Sequence, residues 1–148
     1  MGKREREKGQ SFEQFIRKLF EEALGVPFET GRQAGMNNKS IPDVYNRRWF
    51  SIECKDQKNL NVWAALDQAR ARLIDGSQPI VASNSQRKGK RPVLSVTLDL
   101  RLFLRILVEL AGREGPLEPV TINRDMTHEE IETTFSRVRM LRGAQAPS

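Results

Sequence analysis

Apolar positions near the start of the chain repeat with the period of an α-helix. A helix over about residues 12–24 gathers them into one wide arc. Ser11 and Gln14 have the spacing of a capping box at its start, and Gly25 is expected to end it. Residues 1–10 are charged and are predicted to form a flexible basic tail. The apolar positions of the arc are Phe12, Phe15, Ile16, Leu19, Phe20, Ala23 and Leu24.

Alternating apolar and polar positions then predict a β-hairpin. Its two strands span Ile41–Tyr45 and Trp49–Lys55, and residues 46–48 form a tight connection between them. A short strand over 26–32 is expected before the hairpin, followed by a loop over 33–40.

The second half of the chain alternates between helical and extended patterns and ends on an appended helix. Residues 11–111 are therefore expected to form one α/β (α+β) domain. Thr127 and Glu130 have the spacing of a capping box before the last helix. The predicted segments are helix 62–75, strand 79–83, basic loop 84–92, strand 93–98, helix 100–111, linker 112–126 and helix 127–142.

Composition is typical of a soluble, single-domain protein. Of the 148 residues, 38% are apolar and 30% are charged. No run approaches the roughly 18 apolar residues that a membrane span needs. The N-terminal residues lack the apolar core of a secretory signal, and lone Cys54 cannot form an internal disulfide, so a cytoplasmic location is expected.

The same composition narrows the available chemistry. One cysteine and one histidine, His128, cannot build a Cys/His zinc cage, and they argue against a Ser-His or Cys-His hydrolase. Any metal must be held mainly by oxygen, which favours Mg²⁺, with Mn²⁺ as a substitute. The net charge of +6 is compatible with a polyanionic partner, although many soluble proteins are basic without one.

The second hairpin strand carries the strongest chemical pattern. Strand alternation sends Phe50, Ile52 and Cys54 to one face, and it sends Glu53 and Lys55 to the other. Asp43 on the first strand can lie opposite residues 51–53, so its carboxylate can converge with that of Glu53 around a cation. Two carboxylates, a metal and a lysine suit phosphodiester hydrolysis. On these residues alone, an exposed hairpin with a surface Glu–Lys pair is the commoner explanation.

Two further polar residues occupy unusual places. Glu13 falls inside the apolar arc of the first helix, where a carboxylate is costly unless it is satisfied, as by a metal. The alternative is that Glu13 reaches solvent in the first helical turn. Gln68 projects from a helix face of small alanines and can bind water or phosphate, or it can be an ordinary polar residue at a helix–sheet edge.

Basic residues surround the proposed site and are candidates for gripping DNA phosphates without reading sequence. A solvated charged surface is the alternative. Trp49 and Trp63 could stack on bases, but packing in the core is the favoured prediction for both. The candidate DNA-binding residues are Arg32, Lys39, Arg47, Arg48, Lys58, Arg87, Lys88, Lys90 and Arg91.

The order of these motifs resembles the PD-(D/E)xK nuclease superfamily, over about residues 11–110. The carrying residues are Glu13 on a first helix, Pro42-Asp43 on one strand, Glu53-Cys54-Lys55 on the next and Gln68 on a following helix. Within the superfamily, the chain is similar to the small Holliday-junction resolvases of archaea and phages. Further points of likeness are Ser11–Glu13, Arg32–Gly35, Trp63 and Val93–Leu110.

The resemblance implies a restriction-endonuclease-like core, with a central mixed sheet flanked by helices. It also implies Mg²⁺-dependent DNA cleavage by a homodimer that places two sites on a branched junction. Asp43 and Glu53 would be metal ligands, with the Cys54 backbone carbonyl as a third. Lys55 would be the catalytic lysine, with Glu13 and Gln68 as auxiliary groups. Residues 112–148 match nothing in the family.

A junction-resolving endonuclease is therefore the leading hypothesis. A second hypothesis is another nuclease of the same fold, for repair or restriction-like cleavage, because a fold does not fix a function. A third, from a different class, is a non-catalytic DNA-binding module with a decayed site.

Overall fold

The extended segments of the chain form one sheet, and the segments with helical periodicity lie against it. The computed structural model describes residues 2–31, 40–85, 89–111, 121–123 and 125–145. Its helices are α1 (Lys3–Leu24), α2 (Val62–Ala71), α3 (Leu100–Ala111) and α4 (His128–Gln145). Its strands are β1 (Glu29–Thr30), β2 (Val44–Tyr45), β3 (Phe50–Gln57), β4 (Gln78–Ser85) and β5 (Val93–Leu98).

The strands of the described residues form a mixed sheet in the order β1-β2-β3-β4-β5. The predicted hairpin is confirmed, because β2 and β3 pair antiparallel with Val44 opposite Ile52. β3 and β4 are parallel, and α2 is the crossover between them. The remaining pairs are antiparallel. The α+β class, with a central mixed sheet flanked by helices, is thereby confirmed.

Side-chain alternation on β3 divides the interior into two parts. Ile52 is fully buried in the main core, which lies on the α1 side of the sheet, and Phe50 and Cys54 pack against that core. A smaller cluster under α2 contains Ala65, Leu66, Ala69 and Val81. The face of β3 that carries Glu53 and Lys55 is therefore covered by α2, as the alternation predicts.

The start of α1 was predicted wrongly. The helix begins at Lys3, so residues 3–10 are helical and Ser11 lies inside α1. Glu5 is the residue that caps the start, because its carboxylate accepts a hydrogen bond from the Gly2 amide at 3.4 Å. Residues 3–8 contain neither proline nor glycine, and Lys8 forms an ion pair with Asp56 at 3.5 Å. Helix propensity and a tertiary contact thus extend the helix through a charged segment.

The last helix begins as predicted and joins the main core. The Glu130 amide donates to Thr127 Oγ1 at 3.2 Å, and the Thr127 amide donates to Glu130 Oε2 at 2.7 Å, which confirms the capping box. Ile131 is buried in the core, and Lys18 of α1 pairs with Glu132 at 3.1 Å. α4 is therefore part of the α1 layer, and it ends at Gln145 rather than near 142.

Other boundaries differ by a few residues, and one of them matters for the site. α2 ends at Ala71 instead of 75, so Arg72 is its C-cap residue. Strand β5 and helix α3 have the predicted bounds. Within the described ranges, none of the helices has the length and apolar character that crossing a lipid bilayer requires.

Candidate functional site

The β2–β3 hairpin brings Asp43 next to Glu53. Continuing the Val44–Ile52 register by one residue places Asp43 opposite Glu53. The Cys54 backbone N–H donates to Asp43 Oδ2 at 2.9 Å, which fixes the carboxylate against the edge of β3. The Asp43 backbone is held as well, because the Gly31 N–H donates to its carbonyl at 3.0 Å.

Glu53, Lys55 and Gln68 form one hydrogen-bonded group. Glu53 is only 2% exposed. Lys55 Nζ donates to Glu53 Oε1 and to Gln68 Oε1, both at 2.8 Å. The sheet and α2 thus bring these three predicted residues together, with a lysine joining an acid from its own strand to an amide from the covering helix.

Arg72 is a member of the site that the sequence analysis missed. Its Nη1 lies 3.0 Å from Glu53 Oε2, 3.2 Å from Glu53 Oε1 and 3.7 Å from Asp43 Oδ1. The turn that follows Arg72 is tied to β3, because the Ile74 N–H donates to the Ser51 hydroxyl at 3.1 Å. The sequence spacing could have identified Arg72. It follows Gln68 by one helical turn, so a continued helix places both residues on the same side of α2.

Two titratable groups respond to this arrangement. Burial and the charge of Asp43 raise the pKa of Glu53, while Lys55 and Arg72 act in the opposite direction. The pKa of the Cys54 thiol is raised well above its ordinary value by burial and by the charges of Asp43, Glu13 and Glu53. The charges of all three carboxylates therefore act on the Cys54 thiol in the same direction.

Glu13 approaches from the other side of the sheet. It is 8% exposed on α1, so the prediction that it lies on the buried face is confirmed, and the alternative that it reaches solvent is wrong. The Cys54 side chain faces the α1 layer, whereas Lys55 contacts Gln68 on the α2 layer. β3 thus separates Glu13 from the lysine and the glutamine.

The predicted DNA-binding residues divide between the two ends of the sheet. Arg47 and Arg48 are exposed in the connection before β3. Lys58 follows the end of β3, and the β4–β5 register brings Lys90 and Arg91 to that same end, where all three are exposed. The other four predicted residues, Arg32, Lys39, Arg87 and Lys88, lie outside the described residues.

Neither tryptophan is a core residue, so that prediction was wrong. Trp63 is 77% exposed and Trp49 is 41% exposed. Trp63 stands in the first turn of α2, where the covering interface is built from small residues, Ala65 and Ala69 among them. A helix that packs on alanines lies close to the sheet. A large residue such as Trp63, which does not fit into that narrow interface, is left exposed to solvent.

Asp43 and Glu53 supply two neighbouring carboxylates, the type of ligand that a hard divalent cation takes. Both carboxylates approach one cationic atom, Arg72 Nη1. Extending the hairpin register places Pro42 opposite Cys54, and proline has no N–H to donate to the Cys54 carbonyl. Mg²⁺ commonly takes one or two carboxylates and completes its shell with water. However, the described part of the chain contains no group of three or more His, Cys, Asp or Glu side chains arranged to hold a metal.

In comparisons with known proteins, the chain matches no family model, no curated protein and no solved structure.

Proposed function

We propose that the chain is a metal-dependent DNA endonuclease with a restriction-endonuclease-like core of the PD-(D/E)xK type. The observation that carries the proposal is the convergence of Asp43, Glu53, Lys55 and Gln68 from a hairpin and the following helix. Mg²⁺ is the expected cofactor, held by Asp43, Glu53 and the Cys54 carbonyl.

The chain's own residues have distinct tasks in such a reaction. Asp43, Glu53 and the Cys54 carbonyl would hold Mg²⁺, which would supply polarisation of a phosphate oxygen and a lowered pKa for water. Lys55 Nζ is fixed 2.8 Å from both Glu53 and Gln68, so its ammonium group can orient the attacking water or stabilise charge on the phosphate. Gln68 keeps that ammonium in place. Glu13 is buried on the opposite face of β3, so its auxiliary role would be exerted across the strand.

Branched DNA, with four-way junctions as the first candidate, is the proposed substrate. Lys58, Lys90 and Arg91 are exposed at the end of the sheet where β3 leaves the site. Cations that bind phosphates hold a DNA backbone without reading its bases, which suits recognition by shape. A second copy of the chain would supply the second cut on a symmetric junction.

The proposed homodimer has a candidate surface on α3. Leu100, Phe103, Leu104 and Val108 are exposed there, with Val108 at 73%. Their spacing puts them on one side of the helix, while Leu102 on the other side is buried in the main core. Exposed apolar faces of this kind commonly mark protein interfaces.

The deciding experiment offers purified protein and Mg²⁺ a four-way junction, a flap and a linear duplex of one sequence. Asp43→Asn should abolish cleavage and leave junction binding largely intact. Asp67→Asn, which changes an exposed carboxylate on α2 away from the site, is the matched control and should cleave normally. Equal cleavage of all three substrates would contradict junction selectivity and favour a repair or restriction-like nuclease of this fold.

A non-catalytic DNA-binding module is the second candidate. Arg72 and Lys55 form ion pairs with Asp43 and Glu53, so all four side chains have a structural role that requires no catalysis. Tight junction binding with no cleavage by the wild-type protein, at any Mg²⁺ or Mn²⁺ concentration, would establish this alternative.

A further inference from the structure

The two cations of the site are held in different ways. Lys55 has a neutral second partner, because its ammonium group donates to the Gln68 amide oxygen as well as to Glu53. Arg72 contacts the carboxylates themselves, with Nη1 near both oxygens of Glu53 and 3.7 Å from Asp43 Oδ1. That nitrogen therefore contacts both of the carboxylates that are proposed as metal ligands.

We propose that Arg72 is an exchangeable counterion. Its guanidinium neutralises Asp43 and Glu53, and it leaves them when a divalent cation binds. This inference rests on the proposed metal-dependent function.

Charge balance gives the reason for exchange. The two negative charges of Asp43 and Glu53 are balanced by the two positive charges of Lys55 and Arg72. A divalent cation added to that balanced set would face two nearby positive charges in a partly buried place, where repulsion is poorly screened. Once Arg72 has left, the two carboxylates, Lys55 and the divalent cation have a net charge of +1. The negative charge of one phosphodiester group balances it.

Arg72 is also placed so that it can leave. It is the C-cap residue of α2, and its side chain is 19% exposed, so the guanidinium has a route to solvent. Its backbone N–H donates to the Gln68 carbonyl at 3.1 Å and stays fixed while the side chain rotates. Lys55, by contrast, keeps a partner in Gln68 after a cation binds Glu53.

Calorimetric titration of the full chain with Mg²⁺ and with Mn²⁺, without DNA, tests the proposal. Arg72→Gln removes the competing charge, so it should bind either ion about tenfold more tightly than the wild type. Arg70→Gln is the matched control. Arg70 lies on the same helix and pairs with Asp67 at 3.3 Å and Asp99 at 3.2 Å, so its loss should leave the affinity unchanged.

A measurement on the unaltered protein covers the case in which Arg72→Gln does not fold. The Nε–H NMR signal of Arg72, assigned by its loss in Arg72→Lys, should shift on addition of Mg²⁺ while that of Arg70 stays. The exchange would be refuted if Arg72→Gln bound metal with equal or weaker affinity than the wild type. It would also be refuted if the Arg72 signal did not shift at saturating Mg²⁺. Neither result would contradict the metal site itself. No metal binding by either protein would overturn the proposed function together with the exchange.

Discussion

Lys55→Met should destabilise the fold, because it removes a partner from a carboxylate that stays buried. Glu53 is 2% exposed and accepts hydrogen bonds from Lys55 at 2.8 Å and from Arg72 at 3.0 Å. Methionine has a similar length and no charge, so the substitution removes the ammonium group while filling most of its space.

The size of the effect follows from what remains around Glu53. Removing one partner of a buried ion pair commonly costs about 3–5 kcal/mol. Arg72 stays in contact with Glu53, and the Lys55 side chain is 17% exposed, so water can replace part of the lost interaction. We therefore expect a loss of about 1–3 kcal/mol in the free energy of unfolding at neutral pH.

The loss should also depend on pH in a defined direction. Burial and Asp43 raise the pKa of Glu53, against Lys55 and Arg72, so the pKa rises further without Lys55. When the pKa of a carboxyl group is higher in the folded state than in the unfolded state, protonation of that group stabilises the fold. This stabilisation is complete at low pH and is lost as the pH rises through the folded-state pKa. The deficit of Lys55→Met should be largest near neutral pH and should shrink toward the ordinary carboxyl pKa of 4.5.

Urea denaturation followed by tryptophan fluorescence measures both effects. Lys58→Met, at an exposed lysine, is the control for loss of charge, and it should match the wild type. Adding Glu53→Gln to Lys55→Met should recover part of the loss, because the orphaned charge is gone. We infer that Glu53 is a buried charge stabilised by its partners. This would be refuted if Lys55→Met were as stable as the wild type at neutral pH, or if its loss of stability did not change with pH.

Two other substitutions test the placement of Asp43 and the apolar face of α3. In Gly31→Ala, the new Cβ would lie 2.6 Å from the Pro42 carbonyl oxygen, so we expect a loss of about 1–3 kcal/mol in stability and weaker cleavage, as Asp43 is displaced. Gly9→Ala in α1 meets nothing within 4 Å and should be neutral or slightly stabilising in the same denaturation assay. Val108→Glu should convert a dimer into a monomer in light scattering without lowering stability, whereas Arg137→Glu, at an exposed residue of α4, should leave the dimer intact. A dimer that persists in Val108→Glu would place the interface elsewhere.

The sequence predicted most of what strand geometry controls. Alternation along residues 49–55 separated Glu53 and Lys55 from the core face, and the tight connection at 46–48 set the register that brings Asp43 opposite Glu53. Both follow from local rules with a period of two residues. The burial of Glu13 was predictable from a different local rule, because the 3.6-residue period of a helix decides which side chains face the sheet.

Spacing alone put Arg72 on the side of Gln68, but its contacts with two carboxylates and the exposure of the tryptophans depended on tertiary packing, which local patterns do not report. The Arg72 side chain contacts Glu53 and Asp43, and the Ser51 hydroxyl that holds the following turn is distant in sequence. Trp63 is exposed because α2 lies close to the sheet on small side chains. The early start of α1 likewise draws on a contact between Lys8 and Asp56 that sequence spacing cannot predict.

The hydrogen bond from the Cys54 amide to Asp43 has a consequence for observing the site in solution. β2 begins only at Val44, so the Asp43 side chain supplies the acceptor that a longer strand would have supplied to β3. The rate at which this one amide exchanges its hydrogen with deuterated water therefore reports how firmly the carboxylate is held. An ion or a substitution that draws Asp43 away would accelerate exchange at Cys54 ahead of its neighbours in β3.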